Sequence, residues 1–367
     1  MRNALKRALI ETNLAARAYV ASQRLVQPAR GRCVMLFPNE MYTGSSGDLR
    51  ACAIARELRR LGWRTVVVPP WLNAVSRERV VRSERPSVIF LHQSRHPLNR
   101  PALYPGIPCV FDADDADILL NPRPAEECCG GSAAVIAGNH FLAEMFRPYN
   151  SEVTVIWTGS YLDRSPQAEP NCRRKPVLTW AQADPQDYPL EAGLVRDVVL
   201  QLARHTRFQL HIYGARDSER MHSFLAPMGD AGIDIRTFPP LRYVPFVRSL
   251  EQAAIGLQPV CFENPFSRGK SFGKVLGYLA AGVAVVASHA VDHPLFFRHG
   301  HNGMLARNLA EWVECCRFLL GNPDARGRLV ENAYADFRRR LTTRRAAELV
   351  NTVLLQAAGS GVPTPTK

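Results

Sequence analysis

The sequence predicts an α/β protein of two Rossmann-like domains, and three observations carry that prediction. Short apolar runs alternate with helical stretches through the first half, and the same alternation restarts in the second. A polar, proline-bearing run over 164–175 separates the two series and reads as the domain boundary. With 367 residues, 46% of them hydrophobic, the chain is long enough for two cores of ordinary size. A cleft between the domains is expected at that boundary.

Residues 1–25 form a candidate amphipathic helix, with Leu5, Leu9, Ala16, Tyr19 and Val20 on one stripe and Lys6, Arg17 and Arg24 beside it. Such a stripe suits either an anionic lipid surface or packing against its own domain. A strand is expected over 33–37, then a loop to Gly47, then a helix over 48–61 that Gly62 ends. Strands at 65–68 and 87–91 follow. The second runs into His92, Gln93, Ser94, Arg95 and His96, and polar residues past the carboxyl end of a parallel strand collect ligands. His92 and Arg95 are therefore candidates for sugar or phosphate contact, and His92 is a candidate catalytic group. The next strand, 108–111, empties into FDADDAD, with Asp112, Asp114, Asp115 and Asp117. A DxD at a strand end suits a divalent cation; the competing reading is a metal-free acidic turn. Asp115 is the candidate base for an acceptor hydroxyl, while capping or a solvated turn is expected for most of the four. Strands at 133–138 and 153–156, with a helix from Asn139 to about Phe146, close the first sheet.

The second half repeats the pattern with strands at 177–180, 208–213, 233–238 and 254–259 and helices at 190–203 and 244–252. Its centre is CFENPFSRGKSFGKVLGYLAAGVAVVASHA, residues 261–290, where a basic loop runs into a helix and the helix into an apolar strand. The helix is expected to start near Ser271, which can cap it, and to end at Gly282. Unpaired N–H groups and the positive end of the helix dipole favour a phosphate there, and Arg268, Lys270 and Lys274 add full charges. A diphosphate is the expected guest, with Arg268, Gly269, Lys270, Ser271 and Lys274 as its contacts. After residue 308 the chain reads as mostly helical, with a helix near 343–356 and a disordered tail over 358–367.

The pattern SxxKxLxYxAAGxxVVAS, continued by HPLFFRHGHNGMLARNLAEWVECCRFLL, resembles the donor-binding half of family-4 glycosyltransferases of the GT-B fold. The resemblance covers 175–340 well and the first half more loosely. It implies an acceptor-side domain over 1–165, a nucleotide-sugar donor domain over 176–340 and a helix over 341–357 that crosses back. It also implies that the loop bearing Ser45, Ser46 and Gly47 meets the donor phosphates. In the family two carboxylates hold the ribose and sugar hydroxyls of the donor; here those positions are Gly269 and Gly277. The expected reaction is transfer of a sugar from a nucleotide-sugar to a hydroxyl of a saccharide or lipid-linked acceptor, with no metal and no cofactor. A non-catalytic GT-B scaffold acting in binding or regulation is the alternative.

The net charge of +13 calls for anionic partners, a nucleotide or an anionic membrane surface among them. Interleaved aromatics and reading motifs for nucleic acid are lacking, so no nucleic-acid partner is expected. Nine cysteines without CxxC or zinc spacing read as reduced thiols. With no spanning run and no continuous signal core, a cytoplasmic protein is expected, peripheral to the membrane if residues 1–25 lie on lipid.

Overall fold

The structure, a computed structural model, describes residues 12–26, 31–41, 46–270 and 272–359. Ser45, Ser271, the Leu5, Lys6 and Leu9 part of the N-terminal stripe, and nearly all of the expected tail lie outside the described residues. The chain divides into two compact units, one of Met1–Tyr161, Gly269–Ser271 and Thr343–Lys367, the other of Leu162–Arg268 and Phe272–Thr342.

The first unit holds six parallel strands: β1 Cys33–Phe37, β2 Arg64–Val67, β3 Val88–His92, β4 Cys109–Ala113, β5 Ala134–Ala137 and β6 Val153–Val155. Their order is β2-β1-β3-β4-β5-β6. Strands β1, β3 and β4 are buried residue by residue, as parallel strands covered on both faces must be, which is why they read as unbroken apolar runs. The helix Thr343–Gly359 belongs to this unit and sets Ala347, Val350, Val353 and Leu354 into a core with Val34, Phe90 and Val110. Trp63 fixes it further, donating its indole N–H to Asn351 at 2.6 Å.

At the other edge, helix Asn13–Gln23 buries Ala16, Val20 and Gln23. The Gln23 amide donates to the Val67 carbonyl at 2.8 Å and accepts from the Val67 N–H at 2.9 Å, filling one rung of the ladder that edge strand β2 would otherwise leave open. Leu14, on the opposite side of this helix, is 75% exposed, and Leu25, in the turn Arg24–Val26 that follows it, is 88% exposed.

The second unit holds β7 Val177–Ala181, β8 Gln209–Tyr213, β9 Asp234–Phe238, β10 Ile255–Gln258, β11 Ala284–Ser288 and β12 Met304–Ala306, all parallel, in the order β12-β11-β10-β7-β8-β9. The order reverses between β7 and β10 here and between β1 and β3 in the first unit, and each reversal opens a crevice past the strand carboxyl ends. The proline-bearing segment 162–176 is folded onto this second unit. Asn171 donates to the carbonyls of Ala254 and Gly282, and the buried Arg326 donates to Asn171. Helix Gly273–Ala280 begins two residues after Ser271, and Gly282 follows it at φ +66°, the left-handed turn that ends it.

Candidate active site

Three strand ends of the first unit converge on a buried polar cluster. Residues 46–60 run from the loop after β1 through a π-helical turn, Asp48–Cys52, which brings Arg50 inward until it is 4% exposed. Arg50 grips Asp112 with two parallel bonds, Nε to Oδ2 at 2.9 Å and Nη2 to Oδ1 at 2.5 Å, and spends its third nitrogen on the Ile156 carbonyl and the Thr158 hydroxyl. Every guanidinium nitrogen has a partner, the condition under which a buried pair is tolerable. Burial works against the Arg50 charge, but Asp112 overrides it and holds the guanidinium above its ordinary pKa.

Beside this pair stands Asp114. Gln93 donates to its Oδ1 at 2.6 Å, and His92 Nε2 lies 3.7 Å from the same oxygen. Burial opposes charge on Asp114, yet His92, the Arg50 charge and the Ser46 hydroxyl together hold its carboxyl below the usual aspartate range. His92 is fully buried, its Nδ1 accepts from the Asn39 N–H at 3.4 Å, and its Nε2 makes no hydrogen bond. Gln93 sits at φ +61°, a conformation that costs a non-glycine residue, and its Oε1 is buried without a partner. Buried titratable groups, a strained backbone and unspent polar atoms at a strand-order reversal together make this cluster a candidate functional site.

The acidic run divides into two layers. Asp112, Asp114 and Asp117 are buried, so the expectation of a solvated turn fails for them, and Arg50 and Gln93 supply partners to the first two from other elements. Asp115 and Asp117 instead share Arg95, at 2.8 and 2.6 Å. The candidate base Asp115 thus lies in a partly exposed ion pair, and Arg95 is committed to holding the turn. Among the described residues no group of three or more His, Cys, Asp or Glu could hold a metal ion.

Of the expected phosphate contacts, Ser46 joins the Asp114 cluster, while Gly47 is buried where a Cβ would lie 2.2 Å from the Glu40 carbonyl, so glycine is required there by close packing. Gly269 and Lys270 belong to the first unit, where a Cβ on Gly269 would lie 2.4 Å from the Ala116 Cβ and Asn139 donates to the Lys270 carbonyl at 3.1 Å. Arg268 and Lys274 belong to the second unit, and Lys274 Nζ lies 5.5 Å above the Phe246 ring.

Solved structures share this architecture across most of its length. Sucrose-phosphate synthase of Thermosynechococcus elongatus aligns with a TM-score of 0.67 at 11% identity, over 89% of this chain and 98% of that one. Anabaena HepE in complex with UDP and glucose aligns at 0.63 and 14% identity, over 89% and 100%. A glycosyltransferase of Rickettsia africae aligns at 0.66 and 10% identity, over 90% and 100%. The chain has the GT-B fold. Residues 194–351, less than half of the chain, match the family model described as Glycosyl transferase-like. No curated protein matches by sequence.

Within the GT-B fold, one departure noted in the sequence has a physical cause. Gly277 faces Phe246, and a Cβ there would lie 2.5 Å from the ring. The space that a carboxylate would need at this position is filled by an aromatic side chain of the neighbouring helix, Tyr243–Ser249. His92, a candidate from its strand-end position, lies in the buried polar cluster of the first unit. Sequence reasoning missed Arg50, Gln93 and the inward turn of Asp112 and Asp114, of which only the polarity of the strand ends gave a sign.

Proposed function

We propose that the protein is a family-4-like GT-B glycosyltransferase that moves a sugar from a nucleotide-sugar to a hydroxyl of a saccharide or lipid-linked acceptor. The observation that carries this reading is the match of residues 194–351 to the glycosyl transferase-like model within a GT-B fold. HepE, which aligns over nearly the whole chain, is complexed with UDP and with UDP-glucose, which supports the same donor class.

In this proposal the second unit binds the donor and the first unit the acceptor. Arg268, Lys270 and Lys274, with the N–H groups opening helix Gly273–Ala280, stabilise charge on the departing diphosphate. His92, whose Nδ1 accepts from the Asn39 N–H and whose Nε2 faces Asp114, is the candidate group for contact with the acceptor or sugar hydroxyl at this strand end. Cationic side chains replace a metal, so chelator should leave turnover intact; loss of activity restored by manganese or magnesium would overturn that part.

The protein acts at the cytoplasmic side in this reading, and the exposed Leu14, Leu25 and Val26, beside Arg17, dock it on anionic lipid. Among the described residues no helix is long and apolar enough to cross a membrane. Calorimetry with a panel of nucleotide-sugars, followed by hydrolysis and transfer assays, tests the whole proposal; absence of both binding and turnover across the panel would refute it. The packing of Phe246 over Gly277 favours one second reading, a GT-B scaffold that binds without catalysis, and binding without turnover would select it.

A further inference from the structure

The second unit contains a large cavity on the side of its sheet opposite the strand carboxyl ends. It has a volume of about 840 Å³ and opens at the amino ends of β7, β8 and β9, between Lys175, Arg207, Arg236 and Arg248. Ligands of open α/β sheets gather at the carboxyl ends, so this cavity is separate from the site described above.

Some arginines of this unit take a nearby carboxylate, as Arg220 does with Asp187 and Arg298 with Asp336, and others, Arg204 and Arg317 among them, form no ion pair among the described residues. Here Glu169, Asp234 and Glu251 line the same cavity, yet none forms an ion pair with any of the four cations among the described residues. Asp234 is taken instead by the Gln209 amide. Beneath them Arg174, 5% exposed, donates only to the backbone carbonyls of Glu169, Ala253 and Ala281, so its charge too lacks a bonded carboxylate. Three exposed guanidinium forks and an ammonium therefore surround one concave space without a bonded carboxylate, with Gln167, Gln209 and Gln252 on its wall.

We propose that this cavity is a second ligand site, for a phosphorylated polyhydroxy compound, independent of the proposed transferase reaction. Planar guanidinium groups match phosphate oxygens two at a time, and the Gln252 amide, which no other described residue engages, offers a donor and an acceptor to hydroxyl groups. The volume exceeds what inorganic phosphate alone would fill and lies in the range of small-molecule sites.

The test is isothermal titration of the full chain with glucose 6-phosphate and with pyrophosphate, beside co-sedimentation with anionic vesicles. Arg236→Ala and Arg248→Ala should each weaken glucose 6-phosphate binding about tenfold, the loss of a charge-assisted hydrogen bond. Arg268→Ala should leave it unchanged. Both cavity residues are exposed, so unchanged thermal melting is expected and separates lost binding from lost folding. Loss confined to the sugar phosphate identifies a soluble ligand; loss of vesicle binding in the same variants identifies a phosphate headgroup. Wild-type affinity in both cavity variants, or loss only in Arg268→Ala, would overturn the assignment.

Discussion

Gly277 lies inside helix Gly273–Ala280, where alanine would ordinarily stabilise by about 1 kcal/mol through its helix propensity. The structure reverses that sign. An added Cβ would stand 2.5 Å from Phe246 Cε1, 3.2 Å from Cδ1 and 3.4 Å from Leu250 Cδ1. Carbon atoms pack at roughly 3.5–4.0 Å, so the ring must retreat by about 1 Å. It has nowhere to go: Phe246 meets Tyr213 edge to face at 5.4 Å, Tyr213 stacks on Phe238 at 4.5 Å, and the Tyr213 hydroxyl is tied to the Ser249 carbonyl. Overpacking costs about 1–3 kcal/mol, and with the ring held by Tyr213 the upper part of that range, about 2–3 kcal/mol, applies, which leaves Gly277→Ala destabilised by about 1–2 kcal/mol after the propensity gain of about 1 kcal/mol. For a unit of this size the melting temperature should fall by about 3–6 °C. Calorimetry of Gly277→Ala, Phe246→Leu and the double variant measures the coupling directly. The double variant should recover most of the alanine loss. A rise in stability for Gly277→Ala, or strict additivity in the cycle, would refute the packing argument.

Three further outcomes are expected. Asp112→Asn removes the partner of a buried guanidinium and should cost the first unit about 3–5 kcal/mol, read by denaturant unfolding; a cost under about 1 kcal/mol would show that Arg50 reaches water. His293 is 4% exposed, shares its Nδ1 hydrogen with the Ser288 carbonyl, and burial lowers its pKa to about 4. Between pH 6.5 and 4 the unfolded chain therefore binds a proton that the folded chain refuses, so stability should fall with acidification by about 3 kcal/mol over that window. His293→Gln should flatten the slope, and an unaltered slope in that variant would place its origin elsewhere. Arg268→Ala and Lys270→Ala should weaken nucleoside diphosphate binding with little change in melting, and unchanged affinity in both would remove them from the proposed donor site.

The strands were legible because parallel strands covered on both faces are apolar throughout; β1, β3, β4 and β11 each needed no partner information to be seen. Strand β12, Met304–Ala306, escaped because three residues carry no period. Helix Ala74–Glu84 escaped because it is rich in charge, and Glu219–Asp230 because Pro227 interrupts its pattern. The site was legible only in part. His92 stood out at a strand end, but which aspartates of FDADDAD turn inward depends on Arg50 and Gln93, which arrive from elsewhere in the chain. Arg50 itself follows a Gly/Ser loop at the start of a polar helix and reads there as a solvated cation.

The Gln23 amide is a seventh strand reduced to one rung. A chain cut to begin at Gly31 would lose more than its exposed leucines. It would also bare the Val67 peptide on the outer edge of the first sheet, and an unpaired edge is a template on which a second chain can add. The amino-terminal helix is thus a guard on solubility as well as the surface proposed for lipid, and the two duties separate cleanly by side chain. Leu14→Ser with Leu25→Ser alters only the outward face, whereas Gln23→Ala opens the edge and leaves the leucines in place. Proteins that add such a helix ahead of a parallel sheet gain freedom to vary its outer surface, because the residue that closes the sheet points the other way.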